Sequence, residues 1–421
     1  MKAWKRKPFI TVLLLLCGGL AFRTEAAAEV PEKPFRAVIA SDLHYIAPEL
    51  TDGGACYQRV LKNGDSKFMP YIEEITDAFL DEVLEERPDV VLLTGDLTFN
   101  GAELSHIRLC EKLRALTEAG IPVLVLPGNH DLYNVDAARF SDESFERVSF
   151  ATTESFAGIY HEFGPAGALA VDTDSLSYVW PIHEHAWVMM LDENTLHDYC
   201  GLSAETLKWV ETQLQAAQEK GCFVLVAGHQ NLFQHSVFRD GYVIQRHDEL
   251  AALLRKYEVP LCLSGHLHIQ HIQSENGLTE ITTSALCSYP CQYAVLTADE
   301  GRLRYETRRL NMKDWAERND RREDVFSSFE RAAGYYMDAH LSTKGMLPQT
   351  EDPILQAEML DYLRLLNRAY FSGDLSRLPE LDPDGRISAL WVQEGNMVSA
   401  YVRSVLNEEG TNHNSWEISL P

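Results

Sequence analysis

Val123-Leu124-Val125-Leu126-Pro127-Gly128-Asn129-His130-Asp131 is a short apolar run that stops at a proline. It turns, through a glycine, into side chains able to bind a metal or move a proton. Four other stretches repeat the arrangement. Ala37-Val38-Ile39-Ala40-Ser41 leads to Asp42-Leu43-His44, and Val90-Val91-Leu92-Leu93-Thr94 leads to Gly95-Asp96. Val224-Leu225-Val226-Ala227-Gly228 leads to His229, and Pro260-Leu261-Cys262-Leu263-Ser264 leads to Gly265-His266-Leu267-His268. Apolar runs of this length, bounded by turn formers, read as strands. All five signatures then sit at strand C-terminal ends, the edge where open α/β sheets bind ligands.

From Phe35 to about Leu310 such runs alternate with amphipathic helical stretches, which predicts an α/β fold. One helix is expected at 71–87, stopping before Pro88, and another at 203–219, between Ser203 and Gly221. Further on, Glu275-Asn276-Gly277 separates two strand-like runs, and Asp299-Glu300-Gly301 marks a second hairpin. The sheet is therefore expected to be mixed. Beyond Asn311 the strand signal fades, and helices are expected at 313–340, 353–371 and 388–408. The chain divides on this reading into a main domain at 33–310 and a C-terminal helical region at 311–421. The aromatics of that region, among them Tyr335, Tyr336, Tyr362, Tyr370, Phe371 and Trp391, are expected to pack against the main domain, with a substrate lid or a dimer contact as the lesser reading.

The 421 residues are 45% apolar and 24% charged, the balance of a folded globular protein. With 63 acidic against 37 basic residues the net charge is −26, so a nucleic-acid polymer is not an expected partner. A small phosphate ester remains compatible with it. Lys2, Lys5, Arg6 and Lys7 precede an apolar run from Pro8 to Phe22 and the small residues Ala26-Ala27-Ala28. That is the pattern of a secretory signal peptide, residues 1–28, with cleavage after Ala28. The run is shorter than a membrane span needs, and Leu16 before Cys17 does not suit lipidation. The mature chain is expected to be secreted, without a transmembrane span, or tethered to the membrane if the signal stays uncleaved. Export permits disulfides. Cys110, Cys222 and Cys262 lie in apolar settings, and Cys56, Cys200, Cys287 and Cys291 leave three pairings open.

The five signatures supply Asp, His and Asn but no thiolate, a donor set suited to Zn, Mn or Fe. One ion would leave ligands over. If Asp96 bridges, Asp42, His44, Asp96 and His268 hold one divalent metal ion, while Asp96, Asn129, His229 and His266 hold a second. Two ions about 3.5–4 Å apart clamp a phosphoryl group and generate hydroxide at neutral pH. Against the two carboxylates they also create a cationic spot on an anionic protein. Each motif alone is weak, and the five in this order carry the reading. The other ten histidines read as ordinary, His183 and His185 as members of a solvated hairpin turn.

These motifs in this order resemble the calcineurin-like metallophosphoesterases, which include purple acid phosphatases, phosphoprotein phosphatases and cyclic-nucleotide phosphodiesterases. The resemblance extends from Phe35 to about Leu310. It implies two mixed β-sheets packed as a sandwich and flanked by helices, with a dinuclear metal centre at one sheet edge. It further implies that His130 contacts the phosphate and protonates the leaving oxygen, and that Asp131 orients it. Together with Ser-Asp-Leu-His-Tyr at 41–45 and Gly-Asp-Leu-Thr-Phe-Asn-Gly at 95–101, the sequence looks like an exported bacterial branch with a helical C-terminus.

The implied function is an exported hydrolase that cleaves a phosphate mono- or diester, nucleotide-type esters included, by a metal-bound hydroxide. Two positions depart from the family pattern. Gln230 stands where many members carry a second His, and Phe99 where many carry an acid. The 48–70 insertion, the 287–292 segment and Tyr45 are candidate substrate selectors. The competing reading is a metal-containing binding protein or pseudoenzyme at the cell surface, against which the complete ligand set argues. Neither Gly-x-Ser-x-Gly nor a Gly-Lys-Ser/Thr loop occurs.

Overall fold

The computed structural model describes residues 34–195, 200–237, 242–343 and 346–420; the signal-like segment 1–28, with Cys17, lies outside them. Two sheets stack face to face. The first, in spatial order, contains Ser415–Ser419, Arg302–Arg309, Gln292–Asp299, Phe35–Ala40, Val90–Thr94 and Val123–Leu126. The second contains His271–Glu275, Leu278–Thr282, Leu261–Ser264, Phe223–Ala227, Ala186–Met190, Tyr178–His183 and Ala170–Val171.

Strand periodicity sets the layers. Ala37 and Ile39 face the partner sheet and pack with Val188, Met190, Leu225 and Leu263. Val38 and Ala40 face outward onto the helices Ile72–Glu86 and Glu103–Glu118. The second sheet is covered likewise by Ala204–Glu219 and His247–Lys256. Because both faces are covered, the strands read as continuous apolar runs rather than alternating ones. Each buried Leu, Ile or Val contributes roughly 1.5–3 kcal/mol.

The helices expected at 71–87 and 203–219 are Ile72–Glu86 and Ala204–Glu219. Ser203 caps the second, its Oγ accepting the Thr206 N–H at 2.9 Å. Asn276 and Gly277, both at positive φ (51° and 85°), join His271–Glu275 to Leu278–Thr282 as an Asn-Gly hairpin should. Tyr45 is buried, with the Lys112 ammonium 5.9 Å from its ring centre, so it belongs to the core and offers no exposed stacking face. All seven described cysteines are free thiols, so none of the three open pairings forms.

The C-terminal region is helical as expected, with Phe329–Thr343, Pro353–Ser372, Arg386–Gln393 and Met397–Leu406 as its main helices. Its last strand, Ser415–Ser419, was not anticipated. It pairs antiparallel with Arg302–Arg309, turning only Trp416 and Ile418 toward the core of the sandwich.

A chain of polar contacts pins the region to the second sheet. His235 Nε2 lies 2.9 Å from Glu280 Oε2, and its Nδ1 lies 2.9 Å from His271 Nδ1. His271 Nε2 reaches Glu408 Oε2 at 2.6 Å, and His413 Nε2 approaches the same oxygen at 3.2 Å. His413 Nδ1 accepts the Ile272 N–H at 3.2 Å, so its ring proton sits on Nε2 and that nitrogen is closed to a cation. His271 and His413, read from sequence as ordinary, are thus part of a structural anchor.

Burial, with repulsion from His235 and His413, lowers His271 to about 4 against the opposing pull of Glu408. Glu408 is raised by burial, but hydrogen bonds from His271 and His413 outweigh this and hold it at about 2. Both groups bind protons more readily in the unfolded chain. The anchor's contribution to stability is therefore complete above about pH 6.5 and falls on acidification, His271 losing its share between about 6.5 and 4 and Glu408 between about 4.5 and 2. The thermal midpoint is expected to fall between pH 7 and 4.5, and to fall less in His271→Gln. An equal fall in both proteins would remove His271 from the account.

Candidate metal centre

Parallel pairing of Phe35–Ala40, Val90–Thr94 and Val123–Leu126, and of Ala186–Met190, Phe223–Ala227 and Leu261–Ser264, aims the strand C-termini at one edge. There the two sheets meet. Asp42 N–H donates to the Gly95 carbonyl at 3.1 Å, and Gly265 N–H to the His229 carbonyl at 2.9 Å. The loops can approach this closely because of two glycines. A Cβ on Gly128 would stand 2.2 Å from Asp96 N, and one on Gly265 1.8 Å from Ser41 Oγ.

Five of the expected ligands occupy the left-handed region: Asp42 (φ 52°), His44 (48°), Asp96 (47°), His266 (68°) and His268 (60°). Non-glycine residues pay on the order of 1–3 kcal/mol each for such conformations, which concentrate at functional sites. The turns aim these side chains inward. Ligand atoms of Asp42, His44, Asp96 and His268 lie within 4.8 Å of one another, and so do those of Asp96, His229 and His266. Asp96 is common to both clusters, as the sequence led us to expect. Asn129 joins the second, its Oδ1 3.1 Å from His229 Nε2.

The donor atoms suit divalent cations. Asp42 Oδ2 accepts hydrogen bonds from Ser41 Oγ (2.6 Å) and His266 N (3.0 Å), whereas buried Oδ1 has no hydrogen-bond partner and lies 3.3 Å from His268 Nε2. Asp96 Oδ1 and Oδ2 lie 3.4 Å from His229 Nε2 and 3.6 Å from His44 Nε2. The His229 Nδ1 faces the Thr94 carbonyl at 2.9 Å; a carbonyl only accepts, so Nδ1 carries the ring proton and Nε2 is left as the ligand atom. Burial would raise the Asp96 carboxyl, yet His229, His130 and His44 hold it well below its usual range. Burial lowers His229, but Asp96 and Asp42 overcome this and push it up to about 10. Two divalent cations fit these clusters, and the site's field favours positive charge.

His130 stands at the rim, half-buried, with Nε2 3.9 Å from Asp96 Oδ2. Its N–H donates to Asp96 Oδ1 at 2.8 Å, and its ring Nδ1 lies 3.0 Å from the Phe99 carbonyl. Asp131 does something other than hold that ring. Its carboxylate accepts from Leu97 N, Thr98 N and Gly128 N, each at 2.9 Å, and from Thr98 Oγ1 at 2.8 Å. It ties together the two turns that carry Asp96 and His130, and orients His130 only through the backbone.

Both departures from the family pattern have a local account. The Gln230 amide exchanges hydrogen bonds with Asn194 (2.7 and 3.1 Å), which also donates to the Pro127 carbonyl at 3.0 Å, so it braces the loop before Asn129. Phe99 serves through its carbonyl, which any side chain would supply.

Two further residues were not singled out from the sequence. Buried Glu193 accepts the His229 N–H at 3.0 Å, and burial pushes its carboxyl up to about 8. Lys67, in the 48–70 insertion, is a buried cation paired with Asp65 at 3.1 Å. Among the described residues no helix is long and apolar enough to cross a membrane.

Comparison with known proteins finds partial likenesses and one family match. A probable glycerophosphodiester phosphodiesterase of Arcobacter nitrofigilis is 28% identical over 187 residues, 44% of this chain and 58% of that protein's length. A 3′,5′-cyclic adenosine monophosphate phosphodiesterase of Haemophilus influenzae is 25% identical over 256 residues, 56% of this chain and 81% of that one. Among solved structures, a dimetal phosphatase from Danio rerio shares 16% identity at a TM-score of 0.47, covering 65% of this chain and 96% of its own. The family model for the calcineurin-like phosphoesterases matches residues 35–270. That span holds every residue of both ligand clusters, and the chain belongs to the calcineurin-like phosphoesterase family.

Proposed function

We propose that the protein is an exported, dimetal-dependent hydrolase of phosphate esters, with residues 33–310 as the catalytic unit. The observation that carries this reading is the pair of ligand clusters sharing Asp96 beneath a half-buried His130 at the rim. When bound, two such ions polarise phosphoryl oxygens and supply a water-derived nucleophile at neutral pH.

The chain's own residues do the rest. Asp42, His44, Asp96 and His268 would hold one ion, and Asp96, Asn129, His229 and His266 the other. Thr94 and Glu193 fix the His229 ring and backbone, so its Nε2 keeps its direction. The Phe99 carbonyl holds His130 Nδ1–H, so a second proton taken up by the ring from solvent sits on Nε2, and from this imidazolium form Nε2 hands it to the departing alkoxide. Asp131 keeps His130 in register by bracing the turns on either side. Export rests on the basic, apolar and small-residue pattern of residues 1–28.

The test is hydrolysis of bis-p-nitrophenyl phosphate and p-nitrophenyl phosphate by residues 29–421 with added Mn or Zn. Turnover of at least one ester, abolished by chelation and restored by metal, is the expected result. Two bound ions per chain with no turnover of either would favour a binding role.

A further inference from the structure

The cleft at the metal centre has two unlike arms. One is a cavity of about 580 Å³ that begins at Asp96, Asn129 and His130 and ends against the C-terminal helices. Its far wall is Met337 and Leu341 from Phe329–Thr343, Tyr370 and Phe371 from Pro353–Ser372, and Tyr401 from Met397–Leu406. The two tyrosine hydroxyls are already engaged, Tyr370 with the His235 carbonyl at 3.0 Å and Tyr401 with Asn367 Oδ1 at 2.8 Å. Their rings, with two methionine or leucine side chains and a phenylalanine, make the wall apolar. No Lys or Arg lines this arm among the described residues.

The other arm, about 510 Å³, lies between the helix Ala55–Asn63 and the hairpin Ala138–Ser141/Ser144–Arg147, and it does contain cations, Lys67 and Arg147. Asp65 and His130 line both arms and so stand where they join.

A phosphomonoester has one organic substituent and would fill one arm. Two arms that meet at the proton-donating residue match a phosphorus carrying two. Among the described residues the first arm holds no lysine or arginine, and both ring nitrogens of its His340 are turned to carbonyls, Tyr336 at 2.8 Å and Leu61 at 3.0 Å. Its far wall therefore offers no cationic N–H to a second phosphate or a carboxylate, and its aromatic and thioether surface gains from burying hydrocarbon. Resting on the phosphoesterase reading above, we infer that the substrate is a phosphodiester of two unlike alcohols. An uncharged, apolar or aromatic substituent lies against the C-terminal helices. Those helices are then a specificity wall, held rigidly by the Glu280–His235–His271–Glu408 chain.

The experiment compares p-nitrophenyl phenyl phosphate with p-nitrophenyl methyl phosphate, and each with p-nitrophenyl phosphate, on the metal-loaded enzyme. The phenyl diester is expected to exceed the methyl diester by about tenfold or more in kcat/KM, chiefly through KM, and to exceed the monoester. In Phe371→Ala and Met346→Lys, both at half-buried positions of this arm, the phenyl-to-methyl ratio is expected to fall toward one.

A ratio near one in the wild type, or one that survives both substitutions, overturns the inference while leaving the phosphoesterase reading intact. So does a clear preference for the monoester. Calorimetric binding of diphenyl phosphate separates the two readings. Binding that both variants weaken supports the apolar arm even if no ester turns over, and absence of binding overturns it.

Discussion

Asp96→Asn is expected to reduce bound metal from two ions per chain to fewer than one. It should also reduce kcat/KM on bis-p-nitrophenyl phosphate by at least about a thousandfold. The residue is the only one shared by the two clusters, with one oxygen 3.4 Å from His229 and the other 3.6 Å from His44. Asparagine keeps the size and the Oδ1 acceptor for the His130 N–H but loses the charge and one anionic oxygen. Without them the imidazoles of His229, His130 and His44 lose the carboxylate they share, and only Asp42 at the far side of the first cluster remains. Metal analysis and kinetics on the same sample decide the matter. If two ions are retained and activity stays above a tenth of wild type, the clusters bind independently of Asp96.

His130→Ala is expected to behave differently, because no expected ligand cluster includes His130 and its ring sits at the rim. Both ions should remain. Turnover of an alkyl phosphate ester, whose alkoxide must be protonated as it leaves, should fall by about 10²–10⁴-fold. Turnover of a p-nitrophenyl ester should fall by less than about tenfold, since that leaving group departs as a stable anion at neutral pH. The discriminating quantity is the ratio of the two losses. Equal losses on both esters would make His130 a phosphate contact and not the acid.

These predictions concern residues that could be named from the sequence, and the reason is local. Each ligand lies within four residues of the end of an apolar run, so a linear motif records both the strand and the chemistry it delivers. What could not be named depends on the third dimension. Glu193 reaches His229 from a loop 36 residues away, and Lys67 enters from an insertion with no metal-like spacing. Asp131 is adjacent to His130, and the family resemblance implied that it orients the ring; the backbone turn sends the two side chains in different directions. The left-handed backbone of five ligands was equally hidden, since Asp and His carry no signal for positive φ as glycine does.

The strand Ser415–Ser419 was missed because five residues with two inward apolar side chains, following a long helical region, present too little pattern to stand out. The anchor at His271 and Glu408 was invisible for a related reason. Its members are separated by 137 residues, and the strand that carries His271 reads the same whatever it later meets.

The order of strands in the first sheet bears on how the chain reaches its final form. Phe35–Ala40 is the first of the described strands to be made, yet it lies in the middle of the sheet between Val90–Thr94 and Gln292–Asp299. One of its two flanks is unpaired until residue 299 has been made, and the free edge of Arg302–Arg309 is covered only by the last strand of all. Pairings so distant along the chain form slowly, because loop closure precedes any gain from contact. Synthesis thus runs far ahead of folding. The metal centre, assembled from turns at the ends of both sheets, is therefore completed only after the chain has been made well past His268, the last of its expected ligands.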